Sequence, residues 1–317
     1  MKKSRVDIVL PTFNGEKYIE NQIKSILNQS YDNWRLLIRD DNSRDQTFKI
    51  ILKYQNMYPD RIVIISNQEG NLGVTNNVIK ILKSASSKYV MLCDQDDIWF
   101  FDKIKILVKC IKKKEIDGKP EPVLVYSDSV IVDADLKVIS ESFHRYSKLD
   151  YRKKYFTNIL QTNIMQGASC IFNHELVKYI NLPNIKRMNK DIYHDWWIAL
   201  IACAFGKIYC YRKPLMYYRQ HETNVLGAIQ SPTFFEFIFT KNAKDREVFY
   251  KRNYLRINNE LCKQMIKYYN ERLTAEQKVL LSYYLKEPNN MIKFFLLRLY
   301  KYYSAEEIIF RIFIKIR

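Results

Sequence analysis

Glycine is scarce in this chain, with 7 residues among 317. The six cysteines form no CxxC pair and show no zinc-ligand spacing, so we expect reduced cysteines in a cytosolic protein. No run of about 20 uninterrupted apolar residues occurs, which argues against a membrane-spanning helix. The N-terminal residues Met1–Arg5 lead directly into a strand-like segment and show no signal-peptide pattern. From these absences we expect neither a flexible, linker-rich chain nor a disulfide framework nor a membrane-spanning protein.

The composition is that of a globular protein, with 47% hydrophobic and 27% charged residues. Its net charge of +18 is large. Three kinds of partner would account for that charge: nucleic acid, an anionic membrane surface or an anionic substrate. The charge alone does not choose among them.

Short apolar runs alternate with helical patterns through the first third of the chain. This order predicts a mostly parallel, Rossmann-like α/β sheet flanked by helices. The strand patterns cover 6–10, 34–39, 61–66 and 89–93, and the helical patterns cover 15–28, 43–58 and 75–84. Ser43 is a candidate N-cap of the second helix. A further buried helix is expected over 195–204. We place one domain over residues 1–230 and a helical, basic extension over 231–317.

Polar side chains follow each of the first four predicted strands. In open α/β sheets, ligands bind beyond the carboxyl ends of the strands, so we expect these residues to converge on one edge. They are Thr12, Asn14, Asp40, Asp41, Asn67, Asp94 and Asp96.

The segment Cys93–Trp99 places three carboxylates within four positions, directly after the apolar run Tyr89–Leu92. Such a cluster repels itself unless a cation or several donors compensate it. Strand alternation would put Asp94 and Asp96 on the same side. Hard oxygen ligands suit Mg²⁺ or Mn²⁺, which could hold a diphosphate here. This pattern predicts an enzyme that uses a nucleotide-activated substrate.

Seven motifs in order resemble the inverting nucleotide-sugar glycosyltransferases of the GT-A fold, specifically glycosyltransferase family 2. The resemblance covers about two-thirds of the chain. The Asp-Gln-Asp-Asp and His-Asp-Trp-Trp variants are similar to bacterial rhamnosyltransferases that build cell-surface polysaccharides. The motifs are Val9–Asn14, Asp40–Thr47, Asn71–Gly73, Asp94–Asp97, Gln166–Ser169, His194–Trp197 and Tyr218–His221.

The resemblance implies a donor site, a divalent-cation site and an acceptor site. Asp96 and His221 would bind Mg²⁺ or Mn²⁺, which neutralises the departing nucleoside diphosphate. Asp195 would be the catalytic base that takes the proton from the acceptor hydroxyl. The donor-binding residues would be Pro11, Thr12, Asn14, Asp41, Asn71, Gly73, Asp94 and Arg219. The acceptor-binding residues would be Asp97, Trp99, Gln166, Gly167, His194 and Trp196.

Structural alternatives remain open for several of these residues. Asp41 is also a common turn residue, and Asp97 and Asp195 are also candidate helix caps. Trp99 and Trp196 could pack in the core instead of stacking on a sugar. His194 replaces the Glu of an acidic pair that is common in the family.

The expected donor is dTDP-L-rhamnose, with UDP-hexoses next, and the expected acceptor is a glycan or lipid-linked sugar. We expect a cytoplasmic protein that is peripheral on the inner face of the plasma membrane. The basic, apolar segments 291–303 and 308–317 are typical of an anchor on an anionic leaflet. The alternative is that these C-terminal helices dock on their own domain or on a second subunit.

Two other functions compete with this interpretation. A nucleic-acid-binding protein would account for the charge and the aromatic content. However, the basic residues are dispersed, and strand-end carboxylates repel phosphate. A sugar nucleotidyltransferase would also place carboxylates at a sheet edge, but Pro11–Lys17 is not the glycine-rich basic loop that such an enzyme needs.

Overall fold

The structure is a computed structural model that describes residues 3–116, 120–152, 155–180, 192–222 and 256–285. The predicted membrane anchor at 291–317 and the predicted domain boundary at residue 230 lie outside the described residues. Within the described ranges, no helix is both long enough and apolar enough to cross a membrane.

Strands and helices alternate from residue 6 to residue 112, as expected. The strands are β1 (Val6–Thr12), β2 (Trp34–Asp40), β3 (Ile62–Ile64), β4 (Tyr89–Leu92), β5 (Ile98–Trp99), β6 (Val123–Val132), β7 (Val138–Ser140), β8 (Cys170–Asn173) and β9 (Lys207–Arg219). The helices are α1 (Ile19–Leu27), α2 (Thr47–Met57), α3 (Val74–Leu82), α4 (Lys103–Lys112), α5 (Phe143–Tyr146), α6 (Phe156–Gln161), α7 (His174–Ile180) and α8 (His194–Phe205). A 3₁₀ turn spans Gly167–Ser169, and further helical residues cover 256–269 and Ala275–Leu285.

One central sheet has the strand order β3-β2-β1-β4-β8-β6-β9-β5. In addition, β7 pairs with Ile131 and Val132 of β6, beyond the residues of β6 that pair with β8. The first four strands in this order are parallel, which confirms the predicted α/β half of the sheet. The other half is mixed, because β8 is antiparallel to both of its neighbours while β9 is parallel to β6. The expected GT-A-type sheet flanked by helices is therefore confirmed, with a larger antiparallel part than predicted.

Helices cover both faces of this sheet, and strand alternation assigns each apolar side chain to one face. In β1, Ile8 and Leu10 pack in the cluster that contains α1 and α4, whereas Val9 packs in the cluster that contains α3 and α8. All seven residues of β1 and all ten of β6 are buried. The sheet is thus the middle layer of a three-layer core.

The start of α2 differs from the prediction. Ser43 is not its N-cap, since the helix begins at Thr47 and the hydroxyl of Ser43 donates to Asp40 instead. Asp45 accepts from the backbone N–H of Thr47 and so binds the first turn of the helix. By contrast, the buried helix expected over 195–204 is confirmed as α8. All six cysteines lie within the described residues, and none of them forms a disulfide bond.

A buried carboxylate ties three segments together at the opposite edge of the sheet from the strand carboxyl ends. Asp7 in β1 is fully buried and accepts from Arg35 Nε and Nη2, both at 2.9 Å. It also accepts from the backbone N–H groups of Ser86 and Ser87, at 2.8 and 3.0 Å. Burial alone would raise the pKa of Asp7, but the hydrogen bonds from Arg35 and the two amides outweigh it and hold the pKa below its usual value.

Asp7 should contribute to acid stability. Since its folded-state pKa is depressed, its contribution is present above about pH 4 and is lost as the pH falls through the folded-state pKa. We expect Asp7→Asn to lower the free energy of unfolding by about 2–4 kcal/mol at neutral pH and to flatten its decline in acid. Urea unfolding between about pH 3 and pH 7 measures both effects. An unchanged acid slope in the variant would contradict this assignment.

Candidate active site

The carboxyl ends of β1, β2 and β4 meet at one edge of the sheet, as the parallel register requires. Pro11 and Thr12 end β1 beside Arg39 and Asp40 of β2. The backbone N–H of Asp41 donates to the carbonyl of Thr12 at 2.8 Å, which extends the pairing beyond the strands. The predicted convergence of strand-end residues is therefore present.

Reciprocal hydrogen bonds join the loop after β1 to the loop after β2. Thr12 Oγ1 donates to Asp40 Oδ1 at 2.9 Å, and Ser43 N donates to Asp40 Oδ2 at 2.8 Å. Asn14 N donates to Ser43 Oγ, and Asn14 Oδ1 accepts from Arg44 N, both at 2.9 Å. Thr12 and Asn14 thus hold the two loops in one shape, and their predicted donor contacts stay a prediction.

Asp41 is buried and its carboxylate binds the start of α3. It accepts from Leu72 N at 2.9 Å and from Gly73 N at 2.8 Å. Gly73 has φ of 75°, a conformation that favours glycine. Asn71 Nδ2 donates to the carbonyl of Asp41 at 3.1 Å. Asp41, Asn71 and Gly73 therefore form one unit at this edge, whose contact with a nucleotide stays a prediction.

Arg39 compensates Asp41, and the sequence analysis missed it. Its side chain is fully buried, and Nη1 donates to Asp41 Oδ1 at 2.8 Å and to Asn77 Oδ1 at 2.9 Å. Nη2 donates to Asn67 Oδ1 at 2.7 Å and to the carbonyl of Gly70 at 3.1 Å. Apart from Asp41, these partners follow Arg39 by roughly 30 to 40 positions in the sequence, so no local pattern reveals them.

Gln95 was treated as the spacer of the Asp-x-Asp motif, yet it makes a two-way contact. Its Oε1 accepts from Phe13 N at 2.9 Å, and its Nε2 donates to Phe13 O at 3.0 Å. Gly15 lets this amide approach closely, because a Cβ at that position would lie 2.3 Å from Gln95 Oε1. Gln95 thus joins the motif after β4 to the loop after β1.

Asp94 lies within electrostatic reach of both Asp96 and Asp195. Burial, followed by the negative charges of Asp96 and Asp195, raises the pKa of Asp94 to about 7, although Lys103 acts in the opposite direction. Asp96 Oδ2 lies 2.8 Å from His221 Nε2, with the two side chains 15% and 10% exposed. Residues from three segments that are far apart in the sequence therefore share one acidic centre.

This centre fits a divalent cation only together with a substrate. Among the residues that the structure describes, no group of three His, Cys, Asp or Glu side chains forms a complete metal site. Asp96 and His221 offer one oxygen and one nitrogen ligand side by side. Mg²⁺ and Mn²⁺ commonly bind one or two protein carboxylates, with waters and substrate phosphates completing the shell. The pair is consistent with that mode of binding.

Arg219 lies beneath the centre. It is 3% exposed, and its Nε donates to the backbone carbonyl of Asp96 at 2.8 Å. Its guanidinium lies 4.7 Å from the ring centroid of Tyr18, which also stacks on His221 at 4.7 Å. Arg219 therefore positions Asp96, and its predicted contact with the donor stays a prediction.

Asp97 is fully buried, and its Oδ1 accepts from the backbone N–H of Arg219 at 3.2 Å. Burial, followed by the charges of Asp96 and Asp94, raises the pKa of Asp97 well above its usual value. It does not cap the next helix, because α4 follows Asp102. Acceptor binding by Asp97 stays a prediction, and it would require movement to expose the carboxyl group.

Asp195 is the second residue of α8, in the first turn. The residue at the N-cap position is Tyr193, so the cap interpretation of Asp195 is wrong. The predicted acceptor-side turn packs closely here, since a Cβ on Gly167 would lie 3.0 Å from His194 Nε2 and 3.2 Å from Asp195 Cβ. Gln166 is 8% exposed, and its Nε2 has no hydrogen-bond partner among the described residues. Because that amide group is buried, acceptor binding by Gln166 stays a prediction.

Trp99 and Trp196 are packed in the core. They are 3% and 1% exposed, and the indole N–H of Trp196 donates to the carbonyl of Ile159. Stacking on a sugar needs an exposed ring face. The structure does not support that role for either indole and favours the packing alternative.

Comparison with known proteins identifies the family. Residues 7–179, more than half of the 317-residue chain, match the model of glycosyl transferase family 2. The chain belongs to this family. The predicted glycosyltransferase activity is therefore confirmed at the level of the family.

Two relatives and one solved structure extend this result. The chain is 29% identical over 262 residues to a dTDP-rhamnosyl transferase, RfbG, of Shigella flexneri, covering 80% of this chain and 84% of the relative. It is 28% identical over 209 residues to an Escherichia coli UDP-Glc:alpha-D-GlcNAc-diphosphoundecaprenol beta-1,3-glucosyltransferase, WfgD, covering 63% and 74%. The fold matches the mannosyltransferase PcManGT of Pyrobaculum calidifontis, solved with GDP-Man and Mn²⁺, with a TM-score of 0.54, 16% identity and coverage of 92% and 72%.

The Arg39–Asp41 pair should be a strong determinant of stability. We expect Arg39→Met to lower the free energy of unfolding by about 3–5 kcal/mol, because it leaves the buried Asp41 carboxylate without its cation. The double variant Arg39→Met/Asp41→Leu removes both charges and should recover part of that loss. Urea unfolding measures each value.

Arg44→Met is the matched control, since Arg44 is exposed. It should change the free energy of unfolding by no more than about 0.5 kcal/mol. Equal losses in the Arg39 and Arg44 variants would contradict the compensating role of Arg39.

Proposed function

We propose that this glycosyltransferase moves a sugar, with inversion, from a nucleotide-diphosphate sugar to a hydroxyl group of a glycan or lipid-linked acceptor in cell-surface polysaccharide synthesis. The observation that carries the proposal is the acidic centre, where Asp94 lies within electrostatic reach of Asp96 and Asp195 and where Asp96 contacts His221. Such a centre is useful to a substrate that brings a diphosphate and a cation. Family membership favours a transferase over the nucleic-acid-binding and nucleotidyltransferase alternatives.

Asp195 is the proposed base. The acceptor hydroxyl oxygen forms a bond to the anomeric carbon while the bond from that carbon to the diphosphate oxygen breaks. The hydroxyl proton passes to the carboxylate of Asp195, and the electron pair of the broken bond leaves with the nucleoside diphosphate. Gly167 supports this role, because the absence of a side chain there lets the acceptor-side turn approach Asp195.

Asp96 and His221 are the proposed ligands of a divalent cation, which neutralises charge on the leaving diphosphate when it is bound. The proposal is supported by their separation of 2.8 Å and by the mutual repulsion of the neighbouring carboxylates. Mn²⁺ in the structure of the similar mannosyltransferase supports it as well.

The proposed donor is dTDP-L-rhamnose, with UDP-hexoses as the second choice. RfbG, whose match covers 80% of this chain, is named as a dTDP-rhamnosyl transferase. The name of the second relative contains UDP-Glc and a diphosphoundecaprenol-linked sugar, which supports the second donor and a lipid-linked acceptor. For residues 291–317 we also propose contact with the inner face of an anionic membrane, which is supported by the sequence pattern and by the net charge of +18.

Asp195→Asn should separate binding from transfer. A screen of nucleotide sugars with Mn²⁺ is expected to show activity with dTDP-L-rhamnose for the native protein. The variant should bind dTDP with near-native affinity, but its rate should fall about 10²–10⁴-fold, because the amide cannot accept the proton. Calorimetric titration and product release measure the two quantities. A variant with near-native turnover would show that Asp195 is not the base, and an inactive native protein would contradict the function.

Asp96→Ala should instead weaken binding. We expect the Mn²⁺-dependent affinity for dTDP to fall at least about tenfold, since the variant lacks one of the two proposed ligands. Titrations with and without Mn²⁺ measure the loss, which should vanish without the metal. Asp60→Ala is the control, because Asp60 is exposed at the opposite edge of the sheet. An Asp96→Ala variant with native Mn²⁺ dependence would overturn the metal assignment.

A further inference from the structure

A lysine side chain is fully buried next to the acidic centre. Lys103, the first residue of α4, has no exposed surface. Its Nζ donates to the carbonyl of Ala168 at 2.6 Å and contacts Met216 Sδ at 3.0 Å. It lies 4.1 Å from the ring centroid of Trp99. Within the described ranges no carboxylate forms an ion pair with it, which is unusual, because buried lysines are nearly always paired.

Carboxylates of the acidic centre act on Lys103 electrostatically. Burial lowers the pKa of Lys103, while Cys93, Asp97, Cys170 and Asp94 act in the opposite direction and leave it at about 8. In return, the charge of Lys103 opposes the rise in the pKa of Asp94 and Asp97. Lys103 is thus a cation that acts on the carboxylates through space and not through a direct contact.

The direct contact of Lys103 is with the acceptor-side turn. Ala168 is the middle residue of the turn Gly167–Ser169. The preceding Gly167 packs tightly against His194 and Asp195, and a Cβ there would require either neighbour to shift by a few tenths of an ångström. A shift of the Ala168 carbonyl would therefore move the surface against which Asp195 is held.

Stability does not account for this arrangement. A buried ammonium that lacks a carboxylate partner has a high desolvation cost. Replacing a buried ion pair with well-packed apolar side chains of similar volume is often neutral or stabilising, and a buried ammonium has the same kind of desolvation cost. Methionine has nearly the length of lysine, and the site already contains the sulfur of Met216. The charge is therefore retained for another reason.

We propose that Lys103 is a positioning residue of the transfer reaction: its ammonium fixes the Gly167–Ser169 turn against Asp195. This inference rests on the proposed function. Lys103 touches no reacting atom and acts through the turn.

Lys103→Met tests the proposal. We expect its transfer rate to fall about 10- to 100-fold, as displacement of a catalytic group by about 1 Å does. Its melting temperature should stay within about 4 °C of the native value or rise. Its affinity for dTDP with Mn²⁺ should stay within about threefold, since the variant keeps Asp96 and His221. The control is Lys105→Met, on the same helix with a side chain that is 63% exposed, and it should leave all three quantities unchanged.

The outcomes distinguish failure of the positioning role of Lys103 from failure of the proposed function. A native transfer rate in Lys103→Met overturns the positioning role. A rate loss together with a drop in melting temperature of more than about 4 °C also overturns it, because Lys103 would then be a structural residue. An equal loss in Lys105→Met also overturns it. Inactivity of the native protein with every nucleotide sugar overturns the proposed function, and with it the role of Lys103.

Discussion

Compensation of buried carboxylates is the constraint on which the edge of this sheet depends. Ionised side chains held away from water are unfavourable unless donors or opposite charges lie close by. Asp41 meets this requirement through Arg39 and two backbone amides. Asp94 and Asp97 meet it only in part, since Lys103 acts on both and Asp97 accepts one backbone N–H, and their pKa values stay raised. The protein thus has a satisfied carboxylate beside a group of unsatisfied ones, and the latter favour a cation.

The loops around this edge are held before any substrate arrives. Gln95 binds the backbone of Phe13 in both directions, and Ser43 links Asn14 to Asp40. Groups fixed in this way lose little further freedom when they bind a ligand. A donor would therefore meet a formed surface, which is consistent with a site built on the ends of strands.

Charge and packing meet again on the acceptor side. Lys103 donates a hydrogen bond to Ala168, and Gly167 packs against Asp195 at a distance that would be tight for a Cβ. The indoles of Trp99 and Trp196, which were predicted to bind the acceptor, instead pack in the core. Residues that look functional by type can act one layer below the surface, where they shape the groups that face the substrate.

The alternation of strands and helices, the acidic motif at a strand end and the family motifs were readable from the sequence, because they depend on local periodicity and on short spacings. The antiparallel half of the sheet, the compensation of Asp41 by Arg39 and its asparagine partners, and the buried charge of Lys103 were decided only by the tertiary structure. Apart from the Arg39–Asp41 pair itself, each of these joins segments that are many positions apart, and Lys103 meets Ala168 across 65 residues of chain. No local pattern encodes such a contact, since it depends on the order of the strands in the sheet and on which side chains the fold buries.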